Sequence, residues 1–282
     1  MELVSSQPVQ VLFLRSDDAT QTYTDGRRVF ELKNQIIAFK GHKIMVQLLE
    51  FECPISYYLF DSTNNLLSIT VTGNVEKETI NFSISQGNYN AQTLATELNT
   101  LAGSHFTFAA SFEQRTLKYT LTVGASNGNS SISLFEINNT STCLKVLGFN
   151  LNGAQSTSSL TSDNVANLNR TTNLYIRIPN IRLLNLDSRG VVNSTIGKIQ
   201  QTEPHGEILH YVNHNADLKF VIDEHDIEKI ELIVEDDDGK IVDFNNLPYH
   251  LTLGFYFILE DRYLPPPSLE LKIQELENKM RD

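Results

Sequence analysis

Tyr249, Leu251, Leu253, Phe255, Phe257 and Leu259 fill every second position of residues 249–259. A strand turns successive side chains to opposite faces, so this spacing puts all six on one side. On a helix the same residues would be scattered around the axis. This run therefore predicts a strand that covers a core. The same period recurs in Leu174, Ile176 and Ile178, in Leu218, Phe220 and Ile222, and in Ile230, Leu232 and Val234. It also marks Phe106, Phe108, Ala110 and Phe112, followed by Leu117, Tyr119, Leu121 and Val123. Gly206–Val212 reads as a further strand, and SISLFEI (131–137) and CLKVLGF (143–149) as two more. Asp25-Gly26, Lys40-Gly41 and Asp236-Asp237-Asp238-Gly239 supply turns between such bursts. Near the start, Val9, Val11 and Phe13 alternate with Leu12 and Leu14, which predicts a strand buried on both faces.

One segment follows the helical period. In NYNAQTLATELNTLAG, Asn88 or Asn90 can cap the start, Leu94, Leu98 and Leu101 share a face, and Gly103 can end the helix. This helix sits in a region of different composition. Residues 71–170 hold 6 acidic and 5 basic residues, and Ser, Thr and Asn make up 40 of the 100. Residues 221–282 hold 16 acidic and 6 basic residues. The contrast predicts an inserted α+β domain over 71–167. Its polar end, 152–167, reads as a linker or long loop. Without this insert, residues 1–70 and 168–264 carry about eight antiparallel strands. That is the pattern of a discontinuous jelly-roll β-sandwich, so the expected fold class is mainly β. Residues 265–282 are expected to form a proline spacer and a C-terminal helical arm. Its Leu269, Ile273, Leu276 and Met280 fall at steps of four, three and four and are candidate subunit contacts.

Charge and motifs narrow the function classes. A net charge of −12 opposes coating of nucleic acid or docking on an anionic membrane. MELVSSQPVQ lacks the basic and apolar regions of a secretory signal, and no apolar stretch reaches the length of a membrane span. The sequons at Asn129 and Asn193 are accordingly read as accidental. Cys53 and Cys143 are read as two reduced, buried thiols, with a disulfide left open.

Gly124-Ala125-Ser126-Asn127-Gly128 matches G-x-S-x-G, but a polar loop follows it rather than the helix of a nucleophile elbow. His205, Glu207, His210 and His214 lie close in sequence, yet strand alternation sends them to different faces. The Asp236–Gly239 run lacks the alternate ligands and distant Glu of an EF-hand. The chain is therefore expected to have no catalytic, cofactor or metal site.

Two segments carry a family resemblance. One is GNYNAQTLATELNT with FTFAASFEQRTLKYTLTV and CLKVLGFN. The other is DIEKIELIVEDDDGKIVDFNNLPYHLTLGFYF, where an Asp-x-x-Gly turn joins an alternating strand to the last one. They resemble penton and minor capsid proteins of the virophage, polinton-like and giant DNA virus lineage. The length suits a single jelly roll and is too short for a double one. The resemblance implies a penton of five copies at each icosahedral vertex, with the inserted domain outward. The implied partners are other copies of itself and the major capsid protein. Minor capsid proteins and a host-surface receptor are further candidates, and the implied location is the virion. A minor capsid role is the nearest alternative. A receptor- or glycan-binding fibre or attachment protein is another, with Tyr57, Tyr58 and Tyr89 as candidate exposed aromatics.

Overall fold

The computed structural model describes residues 8–100, 106–125, 131–150, 155–156, 158–169, 171–183, 185–186 and 192–259. The chain divides into two compact units. One is Met1–Tyr57 with Thr171–Asp282, and the other is Tyr58–Arg170. In chain order, the first unit starts with β1 (Gln10–Arg15), β2 (Gln21–Thr22), β3 (Arg28–Ile37) and β4 (His42–Pro54). The second supplies β5 (Leu66–Gly73), β6 (Lys77–Ser83), α1 (Ala91–Leu98), β7 (Phe106–Glu113) and β8 (Lys118–Ala125). It continues with β9 (Ile132–Ile137), α2 (Leu144–Leu147), β10 (Gln155–Ser156) and β11 (Ser159–Thr161). The first unit resumes with β12 (Asn173–Arg177), β13 (Asn185–Leu186), β14 (Val192–Asn193) and β15 (Thr195–Gln200). It closes with β16 (Ile208–Val212), β17 (Phe220–Val221), β18 (Asp226–Glu235) and β19 (His250–Leu259).

In the first unit one sheet runs β1-β19-β4-β16 and the other β15-β12-β18-β3-β2. The antiparallel pairs are nested: β12 with β15, β4 with β16, β3 with β18, and β1 with β19. A long antiparallel ribbon, wound so that successive pairs fall in alternate sheets, gives this order; it is a jelly roll. The second unit enters between β4 and β12, at the inner end of the ribbon, where an insertion leaves every other pair intact. Apolar alternation explains why the ribbon holds. Leu251, Leu253 and Phe255 of β19 are buried with Val46, Leu48 and Phe51 of β4. Ile230, Leu232 and Val234 of β18 and Leu174 and Ile176 of β12 share the same core. Each large side chain so buried contributes ~1.5–3 kcal/mol. The sheets approach so closely at Gly197 that an added Cβ would lie 2.5 Å from Leu48 Cδ2.

The second unit has its own core. Its sheets run β10-β9-β5-β6 and β11-β8-β7. Tyr119, Phe135, Leu67, Ile69, Val71, Leu94 and Leu98 are buried together. Asn90 caps α1 by accepting from the Gln92 and Thr93 backbone N–H groups, and the Thr93 hydroxyl accepts from the Asn90 N–H in return. Tyr119 Oη donates to the Ala91 carbonyl at 2.8 Å, which ties α1 to the sheet.

Several expectations need correction. The 70/71 boundary falls inside β5, because Leu67, Ile69 and Val71 form one continuous buried face in the second unit. The expected linker at 152–167 contains β10 and β11, which pair with β9 and β8, and Leu160 is buried. CLKVLGF was expected as a strand but forms α2, ended by Gly148 at φ +84°. Its buried apolar residues are interrupted once, by exposed Lys145, and one helical turn is too short a span to establish a period. The Asp236–Gly239 turn forms, with Gly239 at φ +75°. Beyond the single bridge Glu235–Ile241, however, the chain crosses over, so β18 and β19 lie in different sheets. Finally, β1 is buried on one face only. Leu14 is in the core, while Val9, Val11 and Phe13 are 59%, 39% and 76% exposed.

Candidate assembly surface

The sheet β1-β19-β4-β16 turns alternate residues away from the core. On β4 these include Gln47, Glu50 and Glu52, and on β19 they include His250, Thr252 and Tyr256. Part of this outer face is covered by the chain itself. Tyr256 Oη donates to Gln47 Oε1 at 2.7 Å, and Gln47 Nε2 donates to the Asn215 carbonyl at 2.8 Å. The Lys219 ammonium sits 4.3 Å from the centre of the Tyr256 ring. These contacts explain how polar Gln47 and Tyr256 come to be buried on an outward face.

The rest of the face is open, and it is apolar at both sides. Among the described residues β1 pairs only with β19, and β16 only with β4. Val11 and Phe13 lie opposite Gly254 and Thr252 and point outward. Toward β16 there is a groove of about 180 Å³. Its walls come from Glu52, Pro54, Ile208, Leu247, Pro248 and His250, with buried Cys53 beneath. Ile208 and Leu247 are 60% and 50% exposed. Along this end the register places Arg15 beside His250, His250 beside Glu52, and Glu52 beside His210. The four ionisable groups thus form a row across all four strands.

The residues singled out in the sequence are dispersed. His205 packs edge-on to Tyr57 with ring centres 6.0 Å apart, and burial lowers its pKa. Glu207 and His214 lie in loops beside β16, and His210 alone of the four is on the strand. Among the described residues no group of three or more His, Cys, Asp or Glu is placed to hold a metal ion. Asp236 Oδ1 accepts from the Asp238 and Lys240 N–H groups, as a turn residue does. Burial of Asp237 opposes its charge, but hydrogen bonds from Asn173 and Thr172 outweigh this and hold its pKa down. Cys53 and Cys143 are buried and unpaired, one in each unit, and burial pushes each thiol up to about 12. Tyr57 is buried with its hydroxyl donating to Gln201 Oε1, Tyr89 packs edge-on to Phe60, and only Tyr58 of the three is well exposed.

Ser126 of the G-x-S-x-G run and Leu269, Ile273, Leu276 and Met280 of the expected arm lie outside the described residues. No described helix is long and apolar enough to cross a membrane. Sequence reasoning missed the open edge at Phe13, the groove and the partnership of His250 with Glu52. No linear signal marks them, because each depends on which strands are neighbours.

No family model matches the sequence, and no curated protein does. Among solved structures the chain is similar to the D1-D2-D3 domains of the flagellar cap protein FliD from Escherichia coli. That likeness has 11% identity and a TM-score of 0.16, and it covers 96% of this chain and 61% of that one. The chain is also similar to a crystal structure of the mavirus penton protein, at 11% identity and a TM-score of 0.44, over 88% of this chain and 100% of that chain.

Proposed function

We propose that this chain is a structural subunit of a viral capsid, and that five copies close the capsomer at an icosahedral vertex. The observation that carries this reading is a jelly roll in which, among the described residues, the sheet β1-β19-β4-β16 has unpaired edge strands and exposed apolar side chains at both sides. Edge strands of soluble proteins are normally protected by charge, proline or cover. Here β1 presents Val9, Val11 and Phe13, and the β16 side presents Ile208 and Leu247. Different patches on the two sides suit a heterologous contact, and such contacts generate rings when the rotation closes. The acidic chain supports partners that are proteins rather than the packaged genome. The major capsid protein, and minor capsid proteins where present, are the neighbours this role requires, and the virion is its location. The sequence resemblance of the inserted unit and the last strands points the same way. Leu269, Ile273, Leu276 and Met280 would add a contact arm, and removal of residues 268–282 is expected to weaken self-association without unfolding the chain.

Light scattering of the full-length protein against concentration tests the proposal. The expected result is a mass that rises from the 31.8 kDa chain to five times that value. A limit at three chains would favour a minor capsid role. A constant single-chain mass would count against the vertex.

A further inference from the structure

We propose that the β1 edge of one copy seats Phe13 in the groove beside β16 of the next copy. This inference rests on the capsid-ring reading and names the surfaces that would form it. Phe13 is 76% exposed, the highest value among the exposed large apolar side chains of the described residues. It is flanked on the same face by Val11 and Arg15. The groove measures about 180 Å³ and has apolar walls at Pro54, Ile208, Leu247 and Pro248. An apolar cavity of ~150 Å³ takes up a benzene ring, so this volume suits one phenyl group. Charge is complementary as well: the strand carries Arg15 two residues beyond Phe13, and the groove carries Glu52 on its wall. Arg15 has an exposed contact of 2.9 Å with Asp17, which solvent weakens enough for exchange to a neighbour.

Phe13 lies on the β1 edge, and the groove spans the β16 end of the same sheet with His250 of β19 on its near wall, so a head-to-tail neighbour fills both without using either twice. Aromatic side chains seated in pockets are the usual energetic centres of interfaces. Each pairing would also remove two exposed apolar patches from water at once.

The test uses two full-length variants. Phe13→Asp destroys the donor and keeps the groove, while Ile208→Asp damages the groove and keeps the donor. Each alone is expected to remain a monomer, with self-affinity reduced at least about thirtyfold. Mixed in equal amounts, they should form a dimer and nothing larger, because one intact donor meets one intact groove and the remaining sides are both damaged. If wild type oligomerises but the mixture stays monomeric, the surfaces assigned here are wrong while the capsid reading stands. If wild type itself never associates, both fall. Both positions are exposed, so folding is expected to survive. Should either variant be insoluble, Phe13→Cys combined with Leu247→Cys in one chain replaces it. Oxidation should then give a ladder of cross-linked chains, and an oligomer that fails to cross-link overturns the assignment.

Discussion

In the first unit Leu14 lies opposite Leu251, so the outermost pair of the jelly roll joins the two ends of the described chain. In the second unit Leu67 lies opposite Phe82, and Phe112 opposite Tyr119, each across a short turn. Both units bury the same kinds of side chain, yet their wiring differs. The second is built largely from local hairpins, with α1 docked on them and a core of its own. The first must close a long loop before its outer pairs gain anything, which is slow and leaves the edge strand exposed meanwhile. The unit with the longer closure is also the one whose edge strand β1 carries the exposed Val11 and Phe13. A ribbon wound into two finite sheets must end in edges, and among the described residues no strand pairs with the free edge of β1.

Substitutions can break this comparison. The largest effect is expected from Leu253→Asp, which places an unpaired charge in the core of the first unit. It should cost at least ~4 kcal/mol and abolish native protection in the jelly roll. Hydrogen exchange should still show protected amides in β5 and β8, because the second unit has its own core. Loss of protection throughout would mean that the units fold as one. The converse variant, Phe135→Ala, removes a fully buried ring from the second unit. It should lower the stability of that unit by ~3–5 kcal/mol and leave the exchange of β19 unchanged.

A smaller effect tests how closely the two sheets of the jelly roll meet. Gly197→Ala drives a methyl against Leu48. A loss of ~1–3 kcal/mol in denaturant melts is expected, and Gly197→Ala should cost less when made in a Leu48→Ala background. The last test concerns the thiols. Their folded pKa is raised above the ordinary 9.0, so the folded state holds these protons more tightly than the unfolded state. The stability this contributes is full below pH 9 and is lost as pH rises toward 12. At pH 8 a thiol reagent should modify neither Cys53 nor Cys143 in the native protein, and both after unfolding.

The core strands were legible because their signal is local. Residues 249–259 alternate without interruption, and the whole of β19 follows from that. The start of α1 and its buried Leu94 and Leu98 were legible for the same reason; the helix ends at Leu98 with Asn99 as its cap, and the expected Leu101 and Gly103 lie outside the described residues. The candidate surface was not legible. Val11 and Phe13 read as core because the sequence does not say that β1 is an edge. The row Arg15, His250, Glu52 and His210 depends on the register of four strands drawn from both ends of the chain. α2 was missed because its four residues, with Lys145 exposed among buried neighbours, span too little chain to establish the helical period. The patterns that build each core are written in neighbouring residues. The surface that would assemble copies is written in strand order.

The central claim is that five copies close a ring through the open sides of the jelly roll. Images of concentrated full-length protein by electron microscopy test it most directly. Closed particles with fivefold rotational symmetry are expected, and they should be lost in Phe13→Asp. Threefold particles, open filaments, or fivefold rings that survive Phe13→Asp unchanged would contradict it.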